Sequence, residues 1–216
     1  SRTRKRVFAT GEVAHGPIWL VVIVGLMALS VMAAWLALNA WSALFVFLGA
    51  FFYAIVYTVW LKRRTWLNIV FGGLAGSWAV LAGATAAAPD IGALPLALAF
   101  ILFLWTPPHF WSLAIAFRDD YAAAKVPMLP VVVGDKRAAQ TVFASTIALV
   151  AVSLLPAILG LGSIYLAGAC IGGAWFIYKA WHLSRNPTRA TAMSCFHASL
   201  AQLTLVLTAA IIDARF

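Results

Sequence analysis

Apolar residues in this chain come in long unbroken runs, without the alternation of strands or the narrow stripe of a soluble amphipathic helix. Seven runs can be drawn, at residues 18–38, 40–60, 67–88, 92–117, 138–160, 163–181 and 191–212. At about 1.5 Å per residue, each is long enough to cross a hydrocarbon core of roughly 30 Å as a helix. The pattern predicts an all-α fold: a polytopic transmembrane helical bundle with seven spans. Residues 1–216 would form a single transmembrane domain, with no soluble domain attached.

Composition agrees. The chain is 64% hydrophobic and 10% charged, with a mean hydropathy of +0.98, far from the roughly 25% charged residues of a soluble domain. Of the 15 Lys and Arg residues, 14 fall in alternate connections: Arg2, Arg4, Lys5 and Arg6; Lys62, Arg63 and Arg64; Arg118, Lys125, Lys136 and Arg137; Lys179, Arg185 and Arg189. Only Arg215 lies on the other side. By the positive-inside rule the basic face is cytoplasmic, with the N-terminus inside and the C-terminus outside. The net charge of +9 then needs no nucleic acid as partner; much of it is topological, and some can serve an anionic ligand or lipid. The start, Ser1-Arg-Thr-Arg-Lys-Arg6, carries no signal peptide and reads as the middle of a longer protein.

The chemistry concentrates at the basic end. Trp105-Thr-Pro-Pro-His-Phe-Trp111 closes the fourth run and leads to Arg118-Asp-Asp-Tyr121 and Val126-Pro-Met-Leu-Pro130. Ionisable groups are expensive at membrane depth, so a cluster of them marks a site. Pro107 and Pro108 remove two helical donors, and a kink is expected there. His109 follows directly and is a candidate haem ligand or base, set against a plain interhelical hydrogen bond. Asp119 and Asp120 point about 100° apart on a helix, so one of them, Asp120 in preference, is expected to hold Mg²⁺ with carboxylates from elsewhere. The bland alternative is a solvated pair balancing Arg118.

Tyr57, Trp60, Lys62, Arg63 and Arg64 close the second run, and Asn68 opens the third. An interfacial belt explains the aromatics. The tight connection gathers Lys62, Arg63 and Asn68 beside a helix N-terminus, a place suited to phosphate oxygens. Gly72, Gly73 and Gly76 predict close helix packing, with room left for a long apolar ligand beside a thin helix. Cys170 and Cys195 read as small hydrophobes. His182 is read as interfacial and His15 as uninformative, while His197 is a second candidate haem contact.

Tyr57-Thr-Val-Trp-Leu-Lys-Arg-Arg-Thr-Trp-Leu-Asn68, Gly72-Gly-Leu-Ala-Gly76, Trp105-Thr-Pro-Pro-His-Phe-Trp111, Asp120-Tyr121 and Pro127-Met-Leu-Pro130 together resemble the protohaem IX farnesyltransferases (haem O synthases), a branch of the UbiA-type membrane prenyltransferases. The resemblance covers nearly the whole chain. It implies nine helices around a membrane cavity, and transfer of a farnesyl group from farnesyl diphosphate to a vinyl group of haem B, giving haem O for haem-copper oxidases. It also implies Mg²⁺ and diphosphate held at the inner face by two aspartate-rich loops. The first of those loops would lie upstream of Arg2-Thr3, and is missing together with two helices. Val7 stands where an Arg-Pro pair is usual, and Lys125 where a glycine is usual. The enzyme would be a multi-pass protein of the cell inner membrane with cytoplasmic active-site loops. Haem A synthase or oxidase-assembly proteins would act downstream.

Ionisation of an allylic diphosphate builds negative charge on the leaving group, and preorganised cations lower that barrier. Lys62, Arg63 and a Mg²⁺ on Asp120, with Asp119 beside it, are the catalytic candidates together with His109. Tyr57, Trp105 and Trp111 are candidates to face the allylic cation, and Asn68, Tyr121, Arg2, Arg6 and His197 to bind substrate. Two rivals follow. A UbiA-type enzyme acting on a quinone precursor would not need the Pro-Pro-His segment. A membrane haem carrier or transporter would be expected to show broken or charged helices at mid-membrane in both halves.

Overall fold

The computed structural model describes residues 10–11 and 16–214. Arg2, Arg6, Val7 and His15 lie outside the described residues. Within them the chain is helical with no strand: α1 Ile18–Ala37, α2 Ala40–Phe51, α3 Asn68–Ala87, α4 Ala93–Ala116, the short α5 Arg118–Ala123 and α6 Leu129–Val133, α7 Asp135–Val152, the single turn α8 Leu155–Ile158, α9 Ser163–Arg185 and α10 Arg189–Asp213.

Each predicted run is a helix. Six helical stretches are both long and apolar enough to cross a membrane. The seventh, α9, is as long but less apolar, since Lys179, His182 and Arg185 occupy its basic end and Gly168, Gly172 and Gly173 its middle. Helix α10 packs along it, and the two glycines at 168 and 172 permit the approach: a Cβ on Gly168 would come within 2.7 Å of Ala209, and one on Gly172 within 3.1 Å of Gln202. Helix α1 packs on α2 and buries none of its residues.

One local feature departs from the sequence expectation. The second run does not stay α-helical. Phe52–Leu61 continues α2 as a π-helix, with Lys62 N–H donating to Tyr57 O at 2.8 Å and the Thr58 hydroxyl to Tyr53 O at 2.7 Å, each five residues back. Such windings are rare and gather at functional sites. Helix α4 continues through Pro107 and Pro108, as the fourth run predicts. Both prolines are buried in the bundle, where packing holds the turn that the missing donors would otherwise loosen.

Gly72, Gly73 and Gly76 of α3 pack as expected and leave no room for a ligand beside them, whereas a Cβ on Gly83 would meet nothing within 4 Å. A Cβ on Gly72 would sit 2.9 Å from the Tyr57 ring, one on Gly73 3.0 Å from Thr106, and one on Gly76 3.2 Å from Leu102. The faces freed by the missing side chains are filled by neighbouring residues. The same packing is tied by Ser77, whose hydroxyl donates to Ala99 O at 2.9 Å.

The core joins α3, α4, α7, α9 and α10 through Ile69, Trp105, Ala114, Val142, Phe176 and Cys195. Val126, Met128 and Leu129 belong to the same cluster, so the Pro-Met-Leu-Pro segment tucks the connection between α5 and α7 into the bundle. At the opposite end Asn39 caps α2 through Ser42 N at 2.9 Å and donates to Thr85 O at 2.6 Å. Gly162 N–H donates to the Asp213 carboxylate, which joins the start of α9 to the end of α10.

Candidate active site

The basic end of the bundle carries two groups of candidate residues. The first surrounds a cavity of about 800 Å³ lined by Ile115, Ala116, Phe117, Arg118, Asp119, Asp120, Asp135 and Arg189. Helix α4 ends at Ala116 and α5 starts at Arg118, so the break at Phe117 brings both aspartates into the first turn of a new helix. The Arg118 guanidinium meets the Asp135 carboxylate at 3.4 Å, the one ion pair among the described residues. Asp119 and Asp120 take no part in it. Arg189, from the start of α10, lies over the Phe117 ring at 5.1 Å and lines the same cavity as Asp119 and Asp120. Among the described residues no three His, Cys, Asp or Glu side chains lie close enough together to hold a metal by themselves.

Helix α5 is closed by a residue the sequence had flagged. Lys125 N–H donates to Ala122 O and Val126 N–H to Tyr121 O, both at 3.0 Å, the paired bonds of a Schellman cap. Lys125 adopts φ +53°, the only positive φ at a non-glycine residue among those described. The cap explains why glycine is usual there.

The second group is the turn between the π-helix and α3. Lys62 holds its ammonium 5.7 Å from the centre of the Tyr57 ring, so that face of Tyr57 is already occupied by a cation. Arg63 and Arg64 are exposed. Asn68 is fully buried and donates its amide to Thr65 O at 2.7 Å and Lys62 O at 3.4 Å. Its donors hold the basic turn in shape and are not free for phosphate; its Oδ1, like Trp111 Nε1, is buried with no partner. Tyr57, Trp66 and Tyr121 all pack against the core cluster containing Trp111, and Trp66 and Trp111 lie 6.1 Å apart. Lys62, Arg63, Tyr57 and Asn68 do not line the cavity that holds Asp119 and Asp120; the two groups share the core beneath them.

His109 is held on three sides. Its ring stacks on Trp105 at 4.0 Å and on Phe196 at 4.5 Å, and its Nδ1 lies 2.7 Å from Ser199 Oγ. The Ser199 hydroxyl donates to Phe196 O at 2.6 Å. With that hydroxyl proton directed to Phe196 O, Ser199 Oγ is placed to accept from Nδ1–H, the tautomer that would leave the lone pair on Nε2. Trp105 Nε1 donates to Ser199 O at 2.8 Å, so Trp105 and His109 are both pinned to one residue of α10. His197 points elsewhere: it is exposed and meets Phe196 edge-on at 5.5 Å. His182 is exposed at the end of α9, as read from the sequence.

Ser199, Asp135 and Arg189 were not singled out by sequence. Serine inside an apolar run and basic or acidic residues in an inner connection carry no signal until the fold sets them beside His109 or Asp120.

Acidic and basic side chains thus gather at one end of an α-helical bundle whose long apolar helices suit a membrane. Residues 1–205 match the UbiA prenyltransferase family. The chain is 58% identical to protoheme IX farnesyltransferase 2 of Paramagnetospirillum magneticum, over 99% of this chain and 74% of that relative. It is 48% identical to protoheme IX farnesyltransferase 1 of the same organism, over 98% and 75%, and 39% identical to protoheme IX farnesyltransferase 1 of Cenarchaeum symbiosum, over 100% and 72%. A solved structure concerning digeranylgeranylglyceryl phosphate synthase in membranes shares the fold, with a TM-score of 0.79 at 21% identity, over 99% of this chain and 76% of that one. The chain belongs to the UbiA prenyltransferase family, in its protohaem IX farnesyltransferase branch.

Proposed function

We propose that the protein transfers the farnesyl group of farnesyl diphosphate to a vinyl group of haem B, giving haem O. Within a prenyltransferase of this branch, the observation that carries the site assignment is the cavity where unpaired Asp119 and Asp120 stand beside Arg118 and Arg189. Carboxylates for a divalent cation and guanidiniums for phosphate oxygens are the two halves of a diphosphate site.

The donor set fits Mg²⁺: a carboxylate at the edge of an open cavity suits an ion that completes its shell with substrate phosphates and water. Asp120 would hold it, with Asp119 beside it, and when bound it neutralises charge developing on the departing diphosphate. Arg118 and Arg189 supply further positive charge at the same place, and Lys62 and Arg63 do so from the neighbouring turn. In the reaction the allylic C1–O bond breaks with both electrons leaving on diphosphate. The vinyl π electrons form the new C–C bond, and water captures the cation left on the vinyl group. His109 would offer Nε2 to the haem iron when haem B binds.

The basic end faces the cytoplasm of the cell inner membrane in this reading, supported by the distribution of Lys and Arg. The seven helices then span the bilayer with α9 included. Incubating the purified full-length protein with haem B, farnesyl diphosphate and Mg²⁺ should yield a farnesylated haem by mass spectrometry. Prenylation of a quinone precursor with haem left unmodified would overturn the assignment.

A further inference from the structure

Helices α9 and α10 carry a second built surface on the outside of the bundle. Two cavities adjoin there through Tyr178. One, of about 670 Å³, is lined by Ile171, Ala174, Trp175, Tyr178 and Leu205 and is apolar. The other, of about 200 Å³, is lined by Tyr178, Lys179, His182, Thr191 and Ser194. Neither shares a lining residue with the cavity of Asp119 and Asp120.

The polar half is cationic and uncompensated. Lys179 lays its ammonium 4.6 Å from the centre of Trp175 and 5.5 Å from Tyr178, and Arg185 lies 5.8 Å from Trp181. Aromatic faces are the only charge-stabilising neighbours of these cations, since the single ion pair among the described residues is Arg118–Asp135. The one acidic residue on either helix, Asp213, ends α10 at the opposite end and is bound to Gly162. Ser194 offers a hydroxyl that is not committed to any hydrogen bond among the described residues.

Depth decides what fits. Ile171 precedes Lys179 by two helical turns, which places it about 12 Å deeper along α9 at 1.5 Å per residue. One leaflet contributes about 15 Å of hydrocarbon. The groove thus offers cations and a hydroxyl at the headgroup level, and an apolar, aromatic-edged channel running most of the way to the bilayer centre.

We propose that this groove binds an anionic glycerophospholipid of the basic-side leaflet. Its phosphate sits on Lys179, His182 and Ser194, with Arg185 adding to the local field. One acyl chain lies along Tyr178, Trp175 and Ile171 against Leu205. The anionic headgroup supplies the countercharge that the protein itself lacks at this end of α9.

Native mass spectrometry of the full-length protein, titrated with phosphatidylglycerol or with phosphatidylcholine of matched chains, tests this. The wild-type protein should retain phosphatidylglycerol in preference to phosphatidylcholine. Lys179→Gln and Arg185→Gln should each weaken the phosphatidylglycerol complex by about fivefold, the effect of one interfacial cation, while phosphatidylcholine binding stays unchanged. Arg64→Gln with Arg137→Gln, which together remove one charge more than either test variant but elsewhere on the basic end, should preserve the preference. Equal binding of the two lipids by the wild-type protein would overturn the proposal, as would an equal loss in the Arg64/Arg137 control. Displacement of phosphatidylglycerol by stoichiometric farnesyl diphosphate would make the groove a substrate site and overturn it too. All side chains exchanged are at the surface, and the farnesyl-transfer assignment stands or falls independently of these results.

Discussion

Single residues here repeatedly do a different job from the one their chemistry first indicates. Lys125 counts as one more inner-loop cation, yet its backbone closes α5 at φ +53°, where a side chain costs about 1–2 kcal/mol. Lys125→Gly should therefore raise the melting temperature, by about 1 kcal/mol of stability, and Lys125→Ala should not; a differential scanning measurement of the three proteins decides it. His109 has its Nδ1 and both ring faces engaged by Ser199, Trp105 and Phe196, so chemistry is left to the Nε2 edge. If that edge ligates iron, His109→Ala will change the absorption spectrum of bound haem B. An unchanged spectrum and affinity would reduce the ring to an interhelical strut.

At the scale of elements, the basic turn after the π-helix is a structure held from beneath. Asn68 donates to the carbonyls of Thr65 and Lys62, and the i−5 bond from Lys62 N–H to Tyr57 O sets where the turn begins. Asn68→Ala should cost about 1–3 kcal/mol of stability and raise KM for farnesyl diphosphate more than it lowers kcat, because Lys62 and Arg63 lose their fixed backbone. Asn68→Asp should behave like the alanine variant, since a carboxylate has no N–H to donate; full function in Asn68→Asp would refute a donor role. The seven helices were legible in the hydrophobic runs because length and apolarity alone decide them. The π-helix was not, since nothing in Phe52–Leu61 distinguishes its winding from an α-helix. Gly72, Gly73 and Gly76 of α3 were read correctly as packing residues, but the filling of the space beside them was invisible to sequence because Tyr57, Thr106 and Leu102 come from other elements.

Across the whole molecule, charge and polarity separate along the bundle axis. Hydrogen bonds from Asn39 and Asp213 close the opposite end, while the basic end opens into the cavity of Asp119, Asp120 and Arg189. The candidate site was legible as two motifs because acidic and basic residues are rare in this chain; their distribution over a cavity and a neighbouring turn became visible only once the helices were packed. The central claim is that the unpaired aspartates hold the cation on which diphosphate leaves. It is tested most directly by the rate of haem O formation from haem B and farnesyl diphosphate, with Mg²⁺, by full-length protein carrying Asp120→Asn. The exchange removes a charge at a surface-accessible site, so the folded protein should still bind haem B with an unaltered spectrum while turnover falls by about 10²–10³-fold or more. Turnover within a few-fold of wild type, in a variant that binds haem normally, would contradict the account.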